Sequence, residues 1–203
     1  YQHTSAVRPQ NKFAAQIPQF HSTVDADKDG IDDQTDVLNG ALAYVNSHPK
    51  YKSRYYQTGY PDDGYGVCTD VVIRALRTQG LDLQQLVHED MREHFAAYPK
   101  LWNLTQADAN IDHRRVPNLR RYFERHDYQI HDGRFQAGDI ITWDLGKGLV
   151  HIGIASDRNN AQGEPLIIHN IGRGTQEEDI LHRYAITGHY RIPATAFPSP
   201  QLA

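Results

Sequence analysis

The chain is poor in sulfur: Cys68 is its only cysteine and Met91 its only methionine among 203 residues. A single cysteine excludes an intrachain disulfide, so cysteine usage fixes neither a disulfide scaffold nor a redox compartment. Long hydrophobic runs are missing too. No apolar stretch approaches the roughly 20 residues that cross a bilayer and no signal-peptide core is present, so no membrane span is expected. Positive charge is not in excess. The 21 Lys and Arg against 25 Asp and Glu give a net charge of -4, and the basic residues are scattered rather than striped, which argues against nucleic acid as a partner. What is present, 39% hydrophobic and 23% charged residues, suffices for one main core with elaborations. The chain opens at Tyr1 without an initiator methionine, as a processed, truncated or recombinant chain would. A cleaved export signal would fit, and with it a periplasmic or secreted location.

Residues 1–23 are polar, with Gln, Ser, Pro and His breaking any period, and read as a leader or arm whose Phe13, Ile17 and Phe20 are available for docking. Residues 24–50 combine an acidic loop with a helix in which Leu38, Leu42 and Val45 recur at helical spacing before Pro49. The Tyr-, Gly- and Asp-rich stretch 51–66 is an ordered loop leading into a helix that starts near Thr69 and stops at Gly80. Helices are also expected over 84–98 and 117–126, the second opening with Pro117. From Gly138 the pattern changes. Short β-rich segments at 139–143, 150–155, 165–169 and 188–192 are separated by Gly, Asp and Asn turns and should form one antiparallel sheet. Helices first and strands later indicate an α+β domain over about 51–195, followed by a tail at 196–203.

The thiol of Gly66-Val67-Cys68-Thr69-Asp70 lies at a helix entrance, where the positive helix end favours thiolate, the reactive form. The alternative is a free cysteine that merely packs in the core. His151 follows 83 residues later, in a strand whose alternation sets it opposite Val150 and Ile152, and His169 ends the next strand 18 residues on. Two neighbouring strands can thus present two imidazoles side by side, one taking the thiol proton and the other fixing its tautomer. With twelve histidines, the competing reading is a pair of ordinary half-buried strand residues. Asp70 either caps the helix or accepts a substrate amine. His113, Arg114 and Arg115 either hold a substrate carboxylate or form ion pairs within the chain. Asp62-Asp63 and Glu177-Glu178-Asp179 read as turn or surface acids.

The acidic loop places Asp25, Asp27, Asp29, Asp33 and Asp36 at positions 1, 3, 5, 9 and 12, with Gly30 at 6 and Ile31 at 7. Alternate hard oxygen ligands around a glycine turn suit Ca²⁺, with Ile31 offering its carbonyl. Asp36 stands where an EF-hand carries Glu, and the spacing resembles the calcium loops of thrombospondin type 3 repeats. A weak structural site is expected, tying the leader to the domain. Capping aspartates in an acidic turn are the alternative.

A cysteine at a helix start, the strand Gly138-Asp139-Ile140-Ile141, the strand His151-Ile152-Gly153-Ile154 and a following strand ending in His169 resemble the NlpC and CHAP type of papain-like cysteine peptidases. Gly66-Val67-Cys68-Thr69-Asp70 together with Asn110-Ile111-Asp112-His113-Arg114-Arg115-Val116-Pro117-Asn118-Leu119 is similar to a bacterial family described as domain of unknown function 1287. The resemblance spans about 51–193. It implies a papain-like α+β fold with helices on one antiparallel sheet, Cys68 as nucleophile, His151 as base and His169 as third member, with Asn170 as the fallback. It also implies a tyrosine upstream of the cysteine that holds the oxyanion, for which Tyr60 and Tyr65 both qualify. Val67 before the cysteine and Thr69-Asp70 after it depart from the usual Asp-Cys-Ser-Gly.

The expected activity is hydrolysis of an amide bond in bacterial peptidoglycan, as a stem-peptide endopeptidase or an N-acetylmuramoyl-L-alanine amidase. An antibacterial effector of this kind would have an immunity protein as partner. The rival is a calcium-dependent cell-wall or protein-binding module with an inert cysteine; an intracellular transglutaminase-like or deamidating enzyme would use the same residues.

Overall fold

Isoleucines alternating with other residues along the C-terminal strands give the sheet two buried faces. Ile140, Ile152, Ile154, Ile168 and Tyr190 share a core with the helices, while Ile141, Trp143, Ala155 and Ile167 pack with Ile180 and Leu181 on the other side. The structure, a computed structural model, describes residues 8–15 and 21–198. In chain order its elements are α1 (Asp33–Asn46), β1 (Lys50–Tyr51), β2 (Tyr65–Gly66), α2 (Cys68–Thr78), α3 (Leu83–Glu93), α4 (Val116–Arg125), β3 (Ile140–Gly146), β4 (Leu149–Asn159), β5 (Pro165–Ile171), β6 (Gly174–Glu178) and β7 (Ala185–Tyr190). β3 to β7 form one antiparallel sheet in the order β6-β5-β4-β3-β7, and β1 and β2 form a short parallel pair. The α+β arrangement, helices before sheet, is as expected. No helix of the described residues is long and apolar enough to cross a membrane.

α2 is the central helix. Val71, Val72, Ile73, Ala75 and Leu76 are fully buried, and each large side chain contributes about 1.5–3 kcal/mol through burial. The helix starts at Cys68 because Val67 is extended and the Asp70 carboxylate turns back to accept the Val67 N–H at 2.7 Å. Gly66 has no side chain because a Cβ there would collide with the Tyr44 hydroxyl. Gly138 is required twice over: its φ is +88°, and a Cβ would overlap the Gln34 carbonyl oxygen of α1.

Three boundaries differ from the sequence reading. α1 begins inside the acidic loop, since Asp32 caps it by accepting the Thr35 N–H at 3.1 Å, which puts Asp33 and Asp36 in its first turn. α3 stops at Glu93, and only a 3₁₀ turn at Phe95–Ala97 follows before Pro99. β6 is a strand where surface acids were expected. Of the leader, residues 8–15 dock: Arg8 ion-pairs with Glu177 and Asp157, and Phe13 lines a hollow with Asn159 and Leu166. Ile17 and Phe20 lie outside the described residues, as do 199–203 of the tail.

Candidate active site

The register brings both histidines to one face. Trp143 pairs with His151 across β3 and β4, and the two rings lie 6.0 Å apart. On β5, His169 projects from the same face, and His151 Nε2 meets His169 Nδ1 at 2.8 Å. His169 Nε2 in turn donates to Glu178 Oε1 of β6 at 3.0 Å, and the other Glu178 oxygen is bound by Arg173. The result is a three-strand chain of hydrogen bonds, Glu178 to His169 to His151. Glu178 is thus no free surface acid; the pairing of Ile167 with Glu178 and of His169 with Gln176 aims it at the imidazole. The hydrogen bond from His169, with that from Arg173, holds the Glu178 carboxyl down at about 2 despite partial burial. Burial and then the neighbouring His169 push His151 down to about 3, so it stands as neutral imidazole.

The thiol stands at the start of α2, which packs on β4 and β5. Ladder pairing between β4 and β5 runs from Asn159 and Pro165 to Ile154 and Ile168 and stops there. Beyond that point the Ile152 N–H is the strongest of the groups that favour the Cys68 thiolate. A strand N–H lies in the plane of its sheet. The thiol on which it acts therefore stands beside the place where β4 and β5 part, and the N–H belongs to the residue after His151. His151 Nδ1 makes no hydrogen bond among the described residues, whereas Nε2 is committed to His169.

The electrostatics of the thiol correct the sequence reading. A helix N-terminus is worth about 0.3–1 kcal/mol to a charge at the surface. Here burial dominates: it pushes the Cys68 thiol up to about 11, against the lowering effect of the Ile152, Thr69 and Cys68 N–H groups, and Asp70 pushes the same way as burial. The resting pair is neutral thiol and neutral imidazole. Iodoacetamide labelling of Cys68 is accordingly expected to be slow at pH 7 and to rise about tenfold per pH unit to pH 10, following the thiolate fraction. A plateau from pH 6 upward would instead reveal a preformed thiolate.

The remaining residues divide by location. Asp70 and Arg114, both almost wholly buried, form a two-pronged ion pair at 2.9 Å, so Asp70 caps α2 and Arg114 is turned inward rather than toward a substrate carboxylate. His113 Nε2 lies 3.0 Å from the Gly59 carbonyl, and burial lowers it to about 4. Arg115 bonds Asp112 at 3.0 Å and stacks over Trp102 at 4.1 Å. The Tyr60 hydroxyl donates to Asp82 at 3.2 Å, with Arg77 over its ring at 4.1 Å, and Lys52 lies over Tyr65. The tyrosine next to the thiol is Tyr51 of β1, raised first by burial and then by the Cys68 charge. Neither Tyr51 nor Glu178 stood out in the sequence, because β1 is two residues long and β6 has no apolar alternation. The one available signal was the spacing of Gln176 and Glu178 after the Gly172–Gly174 turn. Asn170 lies on the opposite face of β5 from His169, and it is His169 that meets His151.

In the acidic loop, carboxylate oxygens of Asp25, Asp27 and Asp29 lie within 4.8 Å of one another. Asp25 accepts the Lys28 and Gly30 N–H groups, and Asp29 accepts that of Ile31. Asp33 accepts the Ala26 N–H through Oδ1, while its Oδ2 is buried with no partner among the described residues. Burial, reinforced by Asp29 and Asp27, raises Asp36 to about 6.

Residues 38–192 match the family model described as Domain of unknown function (DUF1287). Uncharacterized protein YijF of Escherichia coli (strain K12) is 50% identical over 163 residues, covering 76% of this chain and 80% of that protein. No solved structure matches. Cys68, His151, His169 and Glu178 all fall within the matched region, and the chain belongs to the DUF1287 family.

Proposed function

We propose that the protein is a cysteine hydrolase of the papain-like, NlpC type that cleaves an amide bond of bacterial peptidoglycan. The observation that carries this reading is the Glu178–His169–His151 chain, ending at the residue before the one whose N–H acts on the Cys68 thiol. Ionised Glu178 accepts the hydrogen bond of His169 Nε2–H, which leaves His169 Nδ1 to accept from His151 Nε2–H and His151 Nδ1 bare as the base. As Sγ attacks the carbonyl carbon, its proton passes to Nδ1, and the imidazolium formed is stabilised through His169 by Glu178. The oxyanion meets the N–H groups at the start of α2. Collapse expels the amine, which leaves with the proton from His151, and a thioester remains. Water then attacks the thioester with His151 again as base, releasing the acid and restoring the thiol.

The acidic loop fits a Ca²⁺ ion: an all-oxygen donor set, a buried Asp33 oxygen without a partner and a raised Asp36 are the marks of uncompensated negative charge. Asp25, Asp27 and Asp29, with Asp33 and Asp36 from α1, would hold it, and Ile31 would add its carbonyl. The ion would neutralise the acids and fix the entry to α1. Millimolar calcium outside the cytoplasm suits such a site and agrees with a periplasmic or secreted location.

Digestion of purified peptidoglycan by the wild type and by Cys68→Ala, with calcium present, tests the reading. Fragments seen by mass spectrometry that vanish in the variant are expected, and their masses identify the bond as a stem-peptide or muramoyl-alanine amide. Millimolar calcium is expected to raise Tm by several degrees and a chelator to reverse this. The near-complete burial of Cys68 and His151 favours a second reading, a calcium-dependent binding module with an inert thiol. Binding to peptidoglycan without any fragment would establish that reading instead.

A further inference from the structure

Asn170 is wholly buried, yet neither its amide nitrogen nor its amide oxygen has a partner among the described residues. Thr175, directly across on β6, is 1% exposed and its hydroxyl is likewise unpartnered. Each such group gives up its hydrogen bonds to water without replacing them, and three together in a native fold call for an explanation. Their position supplies one. Asn170 lies two residues beyond Ile168, on the face that packs against the helices, and continuing the register of Ile154 with Ile168 sets it across from Ile152. That is where the ladder pairing ends and where the Ile152 N–H acts on the Cys68 thiol. Asn170 thus flanks, on the helix face, the strand position whose N–H acts on the thiol, with Thr175 beside it on β6, while the two imidazoles lie on the opposite face of the sheet. Tyr51, whose hydroxyl is raised by burial and by Cys68, belongs to β1, which packs against β6.

We propose that Asn170 is the side-chain donor to the oxyanion and that Asn170 and Thr175 together bind the peptide group of the substrate. This deepens the hydrolase reading and rests on it. Asn170 Nδ2 donates to the carbonyl oxygen as it turns negative, Oδ1 accepts an N–H of the substrate, and the Thr175 hydroxyl serves the adjoining peptide group. The ligand class follows from the donor set. An amide offers an acceptor and a donor together, matching Nδ2 and Oδ1, whereas a carboxylate or phosphate would set an anion against Oδ1. Extended peptide, lying where β4 and β5 part, is the form that presents such groups at strand spacing.

The test compares wild type, Asn170→Leu and Thr175→Val on purified peptidoglycan, with Tm and Cys68 alkylation measured on each. Leucine keeps the approximate volume and removes two unpartnered groups. Expected for Asn170→Leu are a kcat lower by about 100-fold or more with KM within about threefold, an unchanged alkylation rate and a Tm no lower than wild type. For Thr175→Val the expected change is a KM raised about five- to tenfold with the fold intact. Wild-type kcat in Asn170→Leu overturns the assignment and leaves the hydrolase standing. So does a lowered Tm with kcat/KM retained, which would make the pair a structural, water-bridged contact. A wild type that releases no fragments overturns both readings.

Discussion

Replacing His151 by alanine is expected to lower kcat for amide cleavage by about 100- to 10,000-fold, the usual contribution of a positioned general base. The side chain is only 3% exposed and touches Trp143 and His169, so the variant must be shown by circular dichroism to retain the native sheet. Glu178→Gln gives the sharper comparison. It keeps an oxygen within reach of His169 but removes the charge that opposes the imidazolium, and a smaller loss, about tenfold or more, is expected. The pH profile carries an independent sign. A base is inactive below its own pKa, and burial holds His151 at about 3, so kcat/KM should show no acid limb between pH 4 and 7. An acid limb near 6.5 in the wild type would show that His151 is solvated and that the neutral-pair description of the site is wrong. In Glu178→Gln, loss of the carboxylate removes the only influence that raises the His151 pKa, so no acid limb should emerge there either.

The second large effect is on stability. Arg114→Leu leaves the Asp70 carboxylate buried beneath the start of α2 with its ionic partner gone, and the expected destabilisation is about 3–5 kcal/mol. For a chain of this length that corresponds to a fall in Tm of roughly 6–20 °C. The compensating double variant Asp70→Asn/Arg114→Leu should recover part of the loss. Asparagine still accepts the Val67 N–H that caps the helix, but no charge remains to be buried. Calorimetry on the three proteins decides the matter. Equal losses in the single and double variants would mean that packing of the Arg114 stem, rather than the uncompensated charge, is responsible. The same pair explains why Arg114 is not offered to a substrate: its guanidinium is occupied by Asp70 and, through Nη1, by the Arg54 carbonyl at 2.8 Å.

Some of this was legible along the chain. Apolar spacing in 71–76 marked the helix that carries Cys68, and the alternation in 150–155 set His151 against Ile152 on opposite faces, as the structure has them. Helices before strands indicated the α+β class. These features depend on residues a few positions apart, whose period records which face is buried. Glu178 belongs to a different category. It lies on a polar edge strand, and its role appears only when β5 and β6 pair and His169 is brought to 3.0 Å. Tyr51 and the unpartnered Asn170 depend in the same way on which strands end where. The acidic spacing was visible from Asp25 to Asp36, but the helix start at Asp33, which buries one carboxylate oxygen without a partner, was not.

The state of the thiol separates the two levels most clearly. Sequence by itself determined that the single cysteine stands at a helix N-terminus, because turn, cap and apolar period are local. Whether that cysteine is thiolate or thiol was decided by tertiary structure alone: desolvation by side chains and strands distant in sequence outweighs the small field of one helix end, and no local pattern encodes how much water a fold removes.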